Sequence, residues 1–335
     1  MTPTRRRLLG TGLIGAGAAA LSACGTGAGT GTGGPRLLHA ADVHPADYPT
    51  VHAVKWMGEE LGRLTEGRLG IRSFPSGQLG NEDDSIGLAR FQAIDICRVA
   101  AAALNNAFPE TSLLCLPYVF RSVAHMRAVV DGDIGTQLLN VFEGRGLVGL
   151  AYYDAAPRSV YNVRRPVYEP ADMKGLKIRA PQSDIFLDTV RAMGANPTPL
   201  TFGAVFSSLQ THLIDGAENN WPSYQSSRQF EVARYWSDTR HLYSPDALLI
   251  SKASMDALTP ADRDLVRDVA RRSVPLMRAE WDKREADARA AVIAAGTQVN
   301  EVDLAAFARA VEPVNAKYTT GAGLKPLYEQ ITAAG

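Results

Sequence analysis

The chain has 335 residues, 46% of them apolar and 21% charged, with basic and acidic groups in balance. That length supports two moderate domains, and the composition is that of a folded globular protein rather than a disordered one. With no basic stripe and no block of like charge, nucleic acid is excluded as an expected partner.

Arg5, Arg6 and Arg7 open the chain, and an uncharged run rich in Gly and Ala follows over 8–21. The run is shorter than the ~20 apolar residues that span a bilayer, so it reads as an export signal rather than a membrane helix. Thr4-Arg5-Arg6-Arg7-Leu8-Leu9 resembles a twin-arginine signal. Leu21-Ser22-Ala23-Cys24 resembles a bacterial lipobox, which implies cleavage before Cys24 and lipidation of its thiol. The expected product is exported, periplasmic or on the outer face of the cytoplasmic membrane, and lipid-anchored at Cys24. Residues 24–35 then form a flexible tether, because 25–34 is almost wholly Gly and Thr. Without the three arginines of 1–23, the remainder carries 32 basic against 35 acidic groups.

A first strand is expected over Arg36–Ala41. Val51, Val54, Met57, Leu61 and Leu64 recur at helical spacing and predict a helix over Pro49–Leu64. A strand over Leu69–Phe74 ends at Pro75-Ser76-Gly77. A helix over 84–91, a strand over 94–99, a helix over 123–142 and a strand over Leu147–Tyr153 follow. After Pro157 come a strand at 176–180, a helix at 183–193 and a helix at 203–213, and then Ile214-Asp215-Gly216 leads into a turn. Thr259 is a suitable N-cap, Pro260 fits the first helical position and Asp262 suits the positive end of the dipole. They open a long helix over 260–295 that Pro275 is expected to kink. A last helix covers 304–314. No internal repeat is visible. Strands alternating with helices give α/β layers, hence two α/β lobes with a ligand crevice at strand ends or between lobes.

Catalytic signatures are missing. The sequence has no G-x-S-x-G elbow, no H-E-x-x-H and no phosphate-binding glycine loop, and its six histidines lack metal-type spacing. Neither an enzyme, nor a metal site, nor a cofactor is expected. Past Cys24, Cys97 and Cys115 lie in apolar settings; two buried thiols and a disulfide in an oxidising compartment both remain open.

The chemistry concentrates in Pro157-Arg158, Asp172-Met173-Lys174-Gly175-Leu176-Lys177-Ile178-Arg179, Leu209-Gln210-Thr211 and Ile214-Asp215-Gly216-Ala217-Glu218-Asn219-Asn220-Trp221-Pro222-Ser223-Tyr224. With Phe74-Pro75-Ser76-Gly77-Gln78-Leu79-Gly80 and Ala93-Ile94-Asp95, these segments resemble the solute-binding component of tripartite ATP-independent periplasmic (TRAP) transporters over about 36–325. Arg179 ends a short strand, where its planar fork suits a carboxylate. The resemblance implies that Arg179 holds a ligand carboxylate, assisted by Arg158 and Asn219, with Asn220 less certain. Asn219 stands where a keto-acid branch with a bound cation has Trp, so no metal is implied. Glu-Asn-Asn-Trp-Pro-Ser-Tyr is instead similar to the sugar-acid branch, which captures hexuronates and aldonates; C4-dicarboxylates are the alternative within the family. By motif position, His44, Glu82, Arg98 and Asp246 are candidates for the sugar hydroxyls. Trp221 and Tyr224 serve either as a wall against the ring or as core; Phe202 is read as core.

The resemblance further implies a two-lobed binding protein with a ligand cleft and a long bracing helix. Lobe I is expected over 36–155 plus 245–284, and lobe II over 156–244 plus 285–335. The expected partners are a small organic acid, the membrane permease and the membrane itself through the lipid anchor, with the protein a monomer. A sensory lipoprotein binding the same ligand, or a sugar-acid enzyme, are the readings of another class.

Overall fold

A computed structural model describes residues 34–320 and 323–334; the export signal, Cys24 and nearly all of the tether lie outside the described residues. Residues 35–335 form one compact unit. In its first half β1 (Arg36–Ala41), α1 (Pro49–Leu64), β2 (Leu69–Phe74), α2 (Glu82–Arg90), β3 (Ile96–Ala100), α3 (Ala101–Leu104), α4 (Val123–Asp131), α5 (Asp133–Asn140) and β4 (Leu147–Tyr153) follow one another. Next come β5 (Arg158–Asn162), β6 (Lys177–Ala180), α6 (Asp184–Ala192), β7 (Asn196–Pro199), α7 (Val205–Gln210), β8 (Gly216–Asn219), α8 (Trp221–Ser226) and β9 (Tyr235–Leu242). The chain closes with β10 (Asp246–Ser251), α9 (Lys252–Asp256), α10 (Pro260–Ala294), β11 (Gln298–Asn300), α11 (Leu304–Thr319) and α12 (Leu324–Ala333).

Two mixed sheets result, ordered β2-β1-β3-β10-β4 and β11-β9-β5-β8-β6-β7, giving the two-lobed α/β architecture. All five strands of the first match five of the second, read from β7 to β9. In each lobe a β-α-β-α-β unit forms three parallel strands in the order second, first, third. An antiparallel strand from elsewhere in the chain (β10 or β5) then pairs with the third.

The duplication extends to single atoms. Two positions past the helix before the third strand stands a residue with φ of 58°, Gln92 in one lobe and His212 in the other. Three residues on, Asp95 accepts the amide of His39 at 2.8 Å and Asp215 accepts that of Lys177 at 2.9 Å. In return the amides of Asp95 and Asp215 donate to the carbonyls of the same two residues. Both aspartates therefore pin the start of a parallel strand to its neighbour, satisfying backbone groups at the sheet's edge. The repeat escapes the sequence because Ile-Asp is nearly all that the two segments, LARFQAIDIC and SSLQTHLIDGA, share.

Local chemistry explains where the elements depart from expectation. Helix α2 starts at Glu82, two residues early, because Asn81 accepts the amide of Asp84 and Asp84 reaches back to that of Asn81 in a capping box. The segment expected as one helix over 123–142 breaks at Gly132, whose extended backbone separates α4 from α5. Where Ile214-Asp215-Gly216 is expected to lead into a turn, the chain instead forms β8, a central strand. A Cβ on Gly216 would lie 2.3 Å from the Tyr161 carbonyl, so only glycine lets β8 approach β5 this closely. Strands β5 and β10, buried throughout, lack the alternation by which a half-exposed strand is read. Helix α7 is preceded by a single 3₁₀ turn at Phe202–Ala204, and α11 runs through Pro313 to Thr319, past the expected end.

Helix α10, 35 residues long, opens as expected with Thr259 accepting the Asp262 amide. Its Val266, Val269, Met277 and Trp281 enter the core beneath the first sheet, and its Ala288 and Val292 enter an aromatic core with Tyr161, Trp221, Tyr224 and Trp236 beneath the second. Where the chain first passes between lobes, fully buried Asp154 accepts from both Arg127 of α4 and Arg278 of α10. Cys97 and Cys115 are buried and free, so the open disulfide alternative is not formed.

Candidate functional site

The carboxyl ends of the parallel strands of both sheets converge on one cleft. It contains an inner chamber of about 50 Å³ and, adjoining it past Arg179, Glu82 and Phe202, an outer one of about 240 Å³. His44, Glu82, Arg98, Arg158, Arg179, Asn219, Asn220 and Asp246 all line the inner chamber. Trp221 and Tyr224 do not. Trp221 stacks on Trp236 at 3.6 Å, and the Tyr224 hydroxyl donates to the Ala233 carbonyl at 2.6 Å, which places both in the second lobe's core. Phe202, expected as core, is half-buried on the wall of both chambers.

Arg98 on β3 is fully buried in the first lobe's wall. Its Nε donates to Asp42 at 3.0 Å and its Nη2 donates to the same carboxylate. Nη1 donates to Glu82 at 3.1 Å and lies 3.3 Å from Asp246. Three carboxylates thus share one guanidinium. Burial opposes ionisation of Asp42, but Arg98's charge and hydrogen bonds outweigh it and hold that carboxyl below its usual range. For Asp246, burial dominates; Arg98 counters it, Glu82 and Asp42 add to it, and the carboxyl is pushed up to about 7. Burial also raises Glu82.

The second lobe inverts this arrangement. Glu218 occupies on β8 the place Arg98 has on β3, and Arg158 opens β5 as Asp246 opens β10. Arg158 donates twice to the Glu218 carboxylate, at 2.6 and 2.8 Å, and once to Asn219 Oδ1 at 3.0 Å. Its charge overcomes the burial of Glu218 and brings that carboxyl down to about 2.

Arg179 stands apart from both clusters. At the end of β6 it is 4% exposed, yet its one hydrogen bond to a described residue is Nε to the Leu200 carbonyl at 2.9 Å. No carboxylate of a described residue forms an ion pair with it, and its two terminal nitrogens face the cleft without a protein acceptor among the described residues. Burial lowers its pKa to about 10, with Glu218 opposing and Arg158 adding.

Neutral donors and acceptors fill the gaps. The His44 ring stacks on Tyr48 at 3.9 Å, and burial with nearby Arg98 brings its pKa down to about 3, so it is uncharged. Its buried Nδ1 has no partner among the described residues. Asn220 accepts the Ser223 amide and caps α8, while Tyr48 and Ser223 share a 3.0 Å hydrogen bond across the cleft. Asp42, Tyr48, Ser223 and Trp281 were not singled out from the sequence; the available signal was Asp42, an acid directly behind the apolar end of β1. No group of three or more His, Cys, Asp or Glu suited to a metal ion occurs among the described residues.

Residues 40–320 match the model of the bacterial extracellular solute-binding proteins, family 7. A solute-binding protein of Chromohalobacter salexigens is 35% identical over 274 residues, 82% of each chain. Among solved structures, a TRAP periplasmic solute-binding protein of Bradyrhizobium in complex with galacturonate superposes with a TM-score of 0.88 at 49% identity, over 89% of this chain and 100% of its own. Another, of Pseudomonas putida with bound D-glucuronate, gives 0.87 at 36% identity over 89% and 97%.

Proposed function

The chain belongs to family 7 of the bacterial extracellular solute-binding proteins, and from that premise we propose that its cleft captures a sugar acid, a hexuronate or aldonate, for a TRAP membrane permease. It is a transporter's binding component and not an enzyme. The observation that carries the ligand class is Arg179: a buried guanidinium whose two terminal nitrogens find no acceptor among the described residues. Two parallel N–H groups match the two oxygens of one carboxylate.

Asn219, held by Arg158, supplies a further amide beside that carboxylate. Across the cleft Asp246, Glu82 and the unpartnered Nδ1 of His44 face the rest of the ligand. Carboxylates accept hydrogen bonds, as the hydroxyls of a sugar require. The half-buried Phe202 gives the ring an apolar neighbour. The lobes, divided as 36–155 plus 245–284 and 156–244 plus 285–335, close on the ligand by hinge motion at the crossovers. The closed form then docks on the permease. A thermal-shift screen of residues 36–335 against hexuronates, aldonates, keto acids and C4-dicarboxylates tests this, because a ligand that binds only the folded state raises its melting temperature. A shift with a uronate or aldonate is expected; a shift confined to dicarboxylates or keto acids refutes the sugar-acid reading.

Lipidation at Cys24 and a monomeric body complete the proposal. The lipobox-like Leu21-Ser22-Ala23-Cys24 and the Gly-rich stretch behind it suit a tethered receptor. Cys24→Ser is expected to move the protein from the membrane fraction to the soluble one, where sedimentation would give a monomer mass. Unchanged membrane association would refute the anchor.

A further inference from the structure

The two walls of the cleft carry opposite net charge. The first lobe presents Asp42, Glu82 and Asp246 against Arg98 alone; the second presents Arg158 and Arg179 against Glu218. All seven groups are buried or border the chamber, where water screens charge poorly. The terminal nitrogens of Arg98 are engaged by Glu82 and Asp42 and those of Arg158 by Asn219 and Glu218, whereas neither terminal nitrogen of Arg179 has an acceptor among the described residues. The outer chamber offers no second cation: besides Arg179, the charged side chains on it are Glu82 and Asp83.

We propose that this acidic wall excludes sugar diacids: the cleft accepts one carboxylate on Arg179 and rejects a second at the ligand's far end, with Asp246 and Glu82 the residues that set the rejection. The inference rests on the sugar-acid reading above and adds to it. A six-carbon acid with its carboxylate on Arg179 extends toward the first lobe. A hydroxyl there donates to Asp246 or Glu82. A carboxylate there has no hydrogen to donate and meets a wall whose three carboxyl groups share a single guanidinium. Arg98 cannot receive it, because Asp42 holds its Nε and Nη2 while Glu82 and Asp246 flank Nη1. Juxtaposed like charges discriminate between ligands by repulsion rather than by added attraction.

The experiment is calorimetric titration of the protein with galacturonate, with galactonate and with galactarate. The last two are open-chain acids that differ in whether the far carbon is an alcohol or a carboxylate. Galactarate is expected to bind at least about 100-fold more weakly than the better of the two monoacids. In Asp246→Asn or Glu82→Gln the ratio of galactarate to monoacid affinity should rise at least about tenfold, whatever happens to absolute affinity. Reading a ratio keeps the test valid if a variant also loses a hydroxyl contact, and the two variants cover each other if one folds poorly. Galactarate binding within about tenfold of the monoacids in the unaltered protein overturns the proposal. So does a rejection that neither variant moves, which would make the exclusion steric. If none of the three acids binds, the sugar-acid reading itself fails, and it does so before any variant is made.

Discussion

Arg179→Ala is expected to abolish the ligand-induced rise in melting temperature while leaving the unliganded protein as stable as before, or slightly more so. The two halves of this result have one cause. Nε of Arg179 donates to the Leu200 carbonyl, which fixes the plane of the fork, and the terminal nitrogens point into the cleft with no hydrogen-bonded carboxylate among the described residues. A bidentate pair with a ligand carboxylate consists of two charge-assisted hydrogen bonds at about 1.5–3 kcal/mol each, so its loss weakens binding by roughly 100- to 20,000-fold. In the empty protein the same guanidinium is a buried charge without an ion-pair partner among the described residues. Burial lowers its pKa to about 10, meaning that folding disfavours its charged form. Removing it therefore relieves the apo protein. Arg179→Lys keeps the charge but loses the fork and should retain only weak binding. Equal uronate affinity in wild type and Arg179→Ala would show that another group anchors the acid.

Arg179 was legible in the sequence because its signal is local: a short apolar strand, an arginine at its end, then Ala-Pro and a helix. Arg158 was not legible in the same way. Its partner Glu218 is fixed by the register of β5 against β8, and a strand buried along its whole length announces neither its existence nor its register. Arg98 shows the same difficulty. Asp95, three residues before it, is the evident partner in sequence, but Asp95 is engaged by the His39 amide, and Arg98 instead reaches Asp42, 56 positions away. The aromatic residues after Asn219 illustrate a third limit. Trp221 and Tyr224 sit on a helix of six residues, too short for periodicity to say which side faces the ligand, and both turn toward Trp236. Local capping and strand ends could thus be read, whereas charge pairing across the sheet could not.

Arg98→Ala tests the opposite kind of arginine and should behave inversely to Arg179→Ala. Arg98 is 1% exposed and is the guanidinium shared by Asp42, Glu82 and Asp246. Removing one partner of a buried ion pair leaves uncompensated charge and costs about 3–5 kcal/mol. Here three carboxylates lose their counterion, so the loss should be at the upper end and should depend on pH. The sign follows from which state holds more protons. In the native protein Asp246 titrates near 7, so between its unfolded value of about 4 and pH 7 the folded state is the more protonated. Stability contributed by this group is therefore present at low pH and falls as pH rises toward 7. Without Arg98 all three carboxyls rise, Asp42 from below its usual range and Glu82 and Asp246 further above theirs, and protonation becomes the means by which the folded protein tolerates them. Urea unfolding of Arg98→Ala should accordingly show a deficit that is small near pH 5 and grows toward pH 8. A deficit below about 1 kcal/mol, or one that does not vary with pH, would mean that water reaches the cluster and screens it. Asp246→Asn should give the reverse, a gain in stability near pH 8, because it removes one of the two negative charges that Arg98 leaves unbalanced. The acidic wall is in this sense held against its own electrostatics, and on the proposed function the cost is borne in the empty state so that acceptors stand ready where a polyol would donate.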